Sequence, residues 1–247
     1  MSGHSKWSTI KRKKGAADAK RGAVFTRISK DITLAAREGG EAPDMNPALR
    51  LAIKNAKTVN MPAVNIERAI NKGTGNIPGI IYENYIYEGY GPGGTAIMME
   101  VMTDNKNRTV PDIRHIMSKN GGNLGEQGCV NWMFEKKGTI TLSKNGIEED
   151  SILELSLDLG ADDFQSENDT FIITTSQEDF GVVTKGLEEK GYEIDGEIGL
   201  IPINMVTISG TNAKQLLGLL ETLEEHEDIQ KVYSNFNLDE TEMESLL

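Results

Sequence analysis

One cysteine, Cys129, stands in 247 residues. That excludes an intramolecular disulfide and a cysteine-only zinc site, and it makes a reducing compartment the default. The three histidines, His4, His115 and His226, fall at no ligand spacing, so no metal site is expected. Long apolar runs are missing as well. Segments such as Ala96 to Val101 are strand-sized, well short of the roughly 18 apolar residues of a spanning helix. No membrane association is expected. The basic N-terminus has no apolar segment behind it, so no secretory leader is read there and a cytoplasmic location is the expectation. Cys129 has no partner base in sequence, and no acid, base or nucleophile group stands out, so neither an enzyme nor a cofactor is expected.

What is present is a strong asymmetry of charge. The net charge of −12 describes no part of the chain. Residues 1–78 carry 15 Lys and Arg against 6 Asp and Glu, or +9. Residues 79–137 are nearly balanced, with 6 basic and 7 acidic side chains. Residues 138–247 carry 5 basic against 25 acidic, or −20. A basic module followed by an acidic half points to an anionic partner for the first. The acidic half can hold a basic partner, or fold over the basic module and compete with phosphates.

Periodicity divides the chain at similar places. Residues 1–78 read as helical. A helix over Asp18–Glu38 places Phe25, Ile28, Ile32, Ala35 and Ala36 within an arc of about 100°. Lys20, Arg27, Lys30 and Arg37 share the opposite arc, which reads as an exposed face. A second helix begins at Asn46-Pro47, with Leu49, Ile53 and Ala56 inward and Arg50, Lys54 and Lys57 as a basic stripe. A third starts near Pro62 and stops at Gly73. From Gly79, strands Tyr82–Glu88 and Ala96–Thr103 flank the glycine-rich turn Gly89–Gly94. A helix is predicted from Thr109, with Asp112 completing a capping box. A strand over Val130–Glu135 follows. Residues 138–203 then show β-α-β-β-α-β, the ferredoxin-like order. The strand and helix after Met205 are too few for a domain and complete the 79–137 region. The expectation is therefore a multidomain chain with an all-α N-terminal domain (1–78) and two α+β domains. The first of these spans 79–137 plus 204–247. The second, 138–203, is ferredoxin-like, strongly acidic and inserted in the first.

The densest chemical signal is Lys11-Arg12-Lys13-Lys14, with Lys6 and Trp7 before it and Lys20-Arg21 after it. Lys and Arg in such a run neutralise phosphates and release condensed counterions. The candidate nucleic-acid contacts are Lys6, Lys11, Arg12, Lys13, Lys14, Lys20, Arg21, Arg27, Lys30, Arg37, Lys54 and Lys57. Trp7 can stack on an unpaired base or anchor the arm. Tyr85 and Tyr87 share a strand face, where stacking on bases competes with cross-strand packing, and packing is favoured. Gly89–Gly94 lacks the Gly-Lys-Ser/Thr ending of a phosphate loop and reads as a sharp turn. The polar loops around Asn105 and Asn120–Gly125 are either a contact surface or cap and turn chemistry.

Several segments together resemble one family. Met1–Trp7, Ile10-Lys11, Asp18–Arg21, Phe25-Thr26, Asn60-Met61-Pro62 and Asn65–Ile70 are similar to the opening of the YebC/PmpR family. Tyr87–Gly94, Thr103-Asp104-Asn105, Asn107-Arg108-Thr109 and Lys119–Gly125 are similar to its later motifs. The resemblance implies a helical domain and two α+β domains, one inserted in the other, in a cytoplasmic bacterial protein acting in gene expression. It implies either a DNA-binding transcriptional regulator or a ribosome-associated factor that relieves stalling on proline-rich nascent chains. The family also includes a mitochondrial translational activator. Lys6, Lys11, Lys13, Lys20 and Arg21 match its basic motif and inherit the nucleic-acid role. The partner is then DNA or ribosomal RNA, with the ribosome and a homodimer as further possibilities. Duplex DNA favours the 18–38 helix in a major groove, although its exposed face lacks the Asn or Gln that reads adenine. Structured RNA favours shape and phosphate contacts with a mobile arm. A protein-interaction module working through the acidic half is the reading from a different class.

Overall fold

The computed structural model describes residues 21–75, 82–167 and 169–238. Helices and antiparallel sheets build a multidomain α/β chain.

The helical unit holds α1 (Arg21–Gly39), α2 (Pro47–Thr58) and α3 (Ala63–Gly73). Asn46 caps α2 by accepting a hydrogen bond from the Leu49 N–H at 3.0 Å, and proline follows it at the first helical position, where no N–H is needed. Ile32, Ala35 and Ala36 of α1, Leu49, Ala52 and Ala56 of α2 and Ala69 of α3 form the core. Small side chains allow close helix approach. A Cβ on Gly73 would lie 2.3 Å from the Thr33 carbonyl oxygen of α1.

The central unit is built on a four-stranded sheet of order β3-β1-β2-β9. Its strands are β1 (Glu83–Tyr90), β2 (Ala96–Thr103), β3 (Asn123–Leu124) and β9 (Ile229–Ser234). Because β9 pairs with β2, the chain returns to this unit after a long excursion. Side chains alternate across β2. Ile97, Met99 and Val101 face α4 (Lys106–Lys119) and α7 (Gly210–Glu225), whereas Ala96 and Met98 face Val130, Phe134 and Tyr233. The turn joining β1 to β2 places Gly93 and Gly94 at positive φ of 73° and 76°, a conformation that glycine adopts without a Cβ penalty. β8 (Val206–Thr207) and β10 (Phe236–Asn237) add a short parallel pair.

The excursion leaves on β4 (Phe134–Ser143), passes α5 (Glu149–Asp158), β5 (Asp163–Ser166), β6 (Thr170–Thr175) and α6 (Phe180–Glu189), and returns on β7 (Asp195–Pro202). Its sheet runs β5-β6-β4-β7 with every pair antiparallel. β4 passes through positions 137 and 138 without a break. Phe134 packs in the central unit, while Ile140 and Leu142 lie in the core of the excursion. The connection is therefore the paired ribbon β4–β7, not a loop.

Two local expectations shift. α4 starts at Lys106 rather than Thr109, because Asn105 is the cap and accepts from the Arg108 N–H at 3.2 Å. Residues 131–133 form a 3₁₀ turn, so strand structure begins only at Phe134.

Candidate nucleic-acid interface

The described residues divide the expected phosphate contacts into two groups. Lys6, Trp7, Lys11, Arg12, Lys13, Lys14 and Lys20 lie outside them, as does the Arg21 side chain. On α2, Arg50, Lys54 and Lys57 are all exposed. Steps of four and three residues put them on one face, about 6 and 4.5 Å apart along the helix axis. Nothing acidic interrupts this stripe in α2.

The arc of α1 opposite its core behaves differently and corrects the reading of an exposed basic face at Lys30, which is buried, and at Arg27, which is half-buried, while Arg37 is exposed as expected. Lys30 is 4% exposed and Asp228, its ion-pair partner, 1%. Its ammonium also donates to the carbonyls of Met102 and Glu227, each at 3.0 Å. The Arg27 guanidinium donates to the Glu224 carbonyl, and burial pulls its pKa below the usual value. Arg37 donates to the Tyr82 carbonyl at 3.1 Å. Lys30 and Arg27 thus hold α1 against the central unit, whereas Arg37 stays exposed despite its bond to Tyr82. A helical wheel separates a polar arc from an apolar one, but it cannot distinguish water from a polar partner domain.

Asp228 is the centre of this junction. Its second carboxylate oxygen accepts from Thr109 at 2.7 Å, Arg108 at 3.0 Å and Thr103 at 3.3 Å. Burial by itself raises the carboxyl, but the bonds from Lys30, Thr109 and Arg108 outweigh it and hold the pKa at about 2. In sequence Asp228 follows Glu224, Glu225 and Glu227 and reads as one more solvated acid. The Thr103–Thr109 segment was the available signal, and cap and hydrogen-bond chemistry is its role.

Glu88 is a second group that the sequence did not single out. It is buried, and its carboxylate accepts from the backbone N–H groups of Gly128, Val130 and Asn131 at 2.8–2.9 Å. It fixes the loop that leads into β4. Tyr85 and Tyr87 stack at a 6.1 Å centroid separation and pack on the core beneath α4 and α7, with the Lys106 ammonium 4.9 Å from the Tyr85 ring centre. Packing on the core uses that face, and both rings stay partly exposed. Among the described residues, no group of three His, Cys, Asp or Glu side chains could hold a metal, and no helix is long and apolar enough to cross a membrane.

Residues 5–76 match the model of the TACO1/YebC protein N-terminal domain, and residues 82–236 match that of the TACO1/YebC second and third domain. The chain belongs to the TACO1/YebC family. It is 52% identical to a "Probable transcriptional regulatory protein" of Dictyoglomus turgidum, with all of both chains aligned. It is 54% identical to a protein of the same description from Desulfotalea psychrophila, over 100% of this chain and 99% of that one. Among solved structures, a conserved hypothetical protein of Aquifex aeolicus is similar, with a TM-score of 0.78 and 44% identity over 90% of this chain and 93% of that one. The family's first domain thus corresponds to the helical unit, in which α2 presents its cations outward and α1 turns Lys30 and, in part, Arg27 inward.

Proposed function

We propose that this protein is a non-enzymatic, nucleic-acid-binding regulator of gene expression working in the cytoplasm. The observation that carries the reading is the exposed stripe Arg50, Lys54 and Lys57 on a module that holds +9 within residues 1–78. The stripe and the basic arm before α1 supply phosphate contacts. The description of the full-length relatives as transcriptional regulators supports the same class. The central unit anchors the helical module, and we read the acidic insertion as ferredoxin-like from its strand order, with a charge that disfavours phosphate contacts.

A second reading, structured ribosomal RNA rather than duplex DNA, is favoured by one observation. The helix suited to a major groove has Arg27 and Lys30 committed to the central unit. Recognition through shape and phosphates then fits better than a groove-reading helix. The test is salt-dependent binding of full-length protein and of the Arg50→Ala, Lys54→Ala, Lys57→Ala triple variant to duplex DNA and to ribosomal RNA fragments. Loss of three phosphate contacts should flatten the log–log salt slope by about 2.7 on duplex DNA. An unchanged slope removes α2 from the interface. Crosslinking in cells, with both RNA and DNA sequenced, decides the target. Promoter DNA without ribosomal RNA would reject the second reading.

A further inference from the structure

One face of the central sheet carries α4 and α7. The opposite face is only half covered. Beyond Met98 and Tyr233, the residues Asn84, Ile86, Glu100, Met102 and Lys231 floor an open cleft of about 390 Å³ that also includes Gln230. Asp31 of α1 forms one wall. Lys231 donates to Glu197 of β7 at 2.6 Å, so all three units meet at this cleft. That size suits a ligand fragment or a few side chains rather than bulk solvent.

Four features of the cleft are incomplete. Ile86 lies 56% exposed on its floor. Asp31 receives no hydrogen bond among the described residues, although it is largely buried, and burial pushes its carboxyl up to about 6. The Gln230 side-chain nitrogen is buried without a partner among the described residues. The outer edge of β1 is paired only at Gly89 and Tyr90, so from Glu83 to Tyr87 it has no strand beside it among the described residues. The Glu88 carbonyl points outward, accepting from Gly125 N–H at 2.8 Å. By the two-residue period, the backbone groups of Ile86 and Asn84 point the same way.

Charge narrows the occupant. Lys231 on the floor is already paired with Glu197, Glu100 accepts from the Tyr233 hydroxyl at 3.2 Å, and at Asp31 burial outweighs the attraction of Lys231, Arg27 and Lys30, so a further cation is favoured beside it. A Lys or Arg side chain would lay its aliphatic stem on Ile86 and Met102 and bring its charge to the carboxylates. Ile86 is in register with Glu100, which is in register with Lys231. A strand added beside β1 lies two strand spacings, about 10 Å, from Glu100. An arginine and a glutamate side chain together cover that distance.

We propose that the cleft is a docking site for an extended, basic segment of a partner protein, which adds a strand to the β1 edge and inserts a Lys or Arg side chain between Asp31 and Glu100. The inference does not rest on nucleic-acid binding and survives or fails separately from it.

The test uses the full chain and a capped hexapeptide of alternating valine and arginine. Binding is followed by amide chemical shifts and by anisotropy of a labelled peptide. The expected result is saturable binding with shifts centred on Asn84, Ile86 and Gln230. Affinity should fall at least tenfold with Asp31→Asn plus Glu100→Gln, with Ile86→Lys, and with a peptide N-methylated on one edge. Far-UV circular dichroism checks that each variant is folded, and the N-methylated peptide needs no variant at all. No binding, equal binding by a valine–glutamate peptide, shifts confined to the outer acidic helices α5 and α6, or displacement of the peptide by an RNA oligonucleotide that shifts the same amides would each overturn the proposal.

Discussion

Replacing Asp228 by Asn tests the junction between the helical and central units most sharply. The change keeps the shape and an acceptor for Thr109 but removes the charge that neutralises Lys30. The Lys30 ammonium would keep the Met102 and Glu227 carbonyls and the Tyr82 ring but no counter-charge bonded to it, at 4% exposure. Breaking one side of a buried pair costs about 3–5 kcal/mol, because the remaining ion is uncompensated. Lys30→Met should cost less, since Arg108, Thr109 and Thr103 still satisfy Asp228. The double variant should be less damaged than the sum of the two, with a coupling of about 1–3 kcal/mol. The assay is urea denaturation monitored by circular dichroism, analysed as separate transitions because a multidomain chain need not unfold in one step. Hydrogen exchange adds the location: amides of α1 should exchange faster in Asp228→Asn, while those of β4 to β7 stay unchanged. A change below about 0.5 kcal/mol in Asp228→Asn, the size of an ordinary surface substitution, would refute the view that this pair holds α1 in place.

Four further outcomes follow from named contacts. The pKa of Asp228 is held at about 2 against an ordinary 3.8, so its contribution is complete above pH 4 and is lost as pH falls toward 2. That drop is about 2 kcal/mol and should be missing in Asp228→Asn when stability is measured against pH. Asp31 works in the opposite sense: its pKa is raised to about 6, so its ionisation destabilises the fold increasingly from pH 4 to 6, and Asp31→Asn should be more stable than the parent at pH 7 by up to about 3 kcal/mol. Glu88→Gln puts an amide N–H₂ against backbone N–H donors and should cost about 2–3 kcal/mol, with a shift in the emission of Trp132, whose indole donates to the Cys129 carbonyl in the same loop. Gly73→Ala places a methyl 2.3 Å from the Thr33 carbonyl oxygen, and overpacking of this kind should lower the stability of the helical unit by about 1–3 kcal/mol, read from its unfolding midpoint.

Most helices and strands are legible in the sequence because their signals are local. Asn46-Pro47 starts a helix through its own side chain and ring, and Gly93 and Gly94 make a turn through their own backbone freedom. The inward residues Ile32, Leu49 and Ala69 follow from helical period alone, as do Ile97, Met99 and Val101 from strand alternation. Basic charge in residues 1–78 and acidic charge beyond residue 137 are likewise properties of composition. What a polar face meets is not local. Lys30 and Lys57 belong to similar basic helices, yet one is buried on Asp228 and the other is exposed. Asp228 stands 198 positions from Lys30, and Glu88 stands 40 from Gly128. The cleft between Asp31 and Ile86 likewise requires units far apart in the chain to meet. Sequence determined the elements, their apolar faces and the sign of each segment's charge. Only tertiary structure decided which charges are spent inside the molecule and which are left for a partner, because desolvation and pairing depend on neighbours that periodicity does not encode.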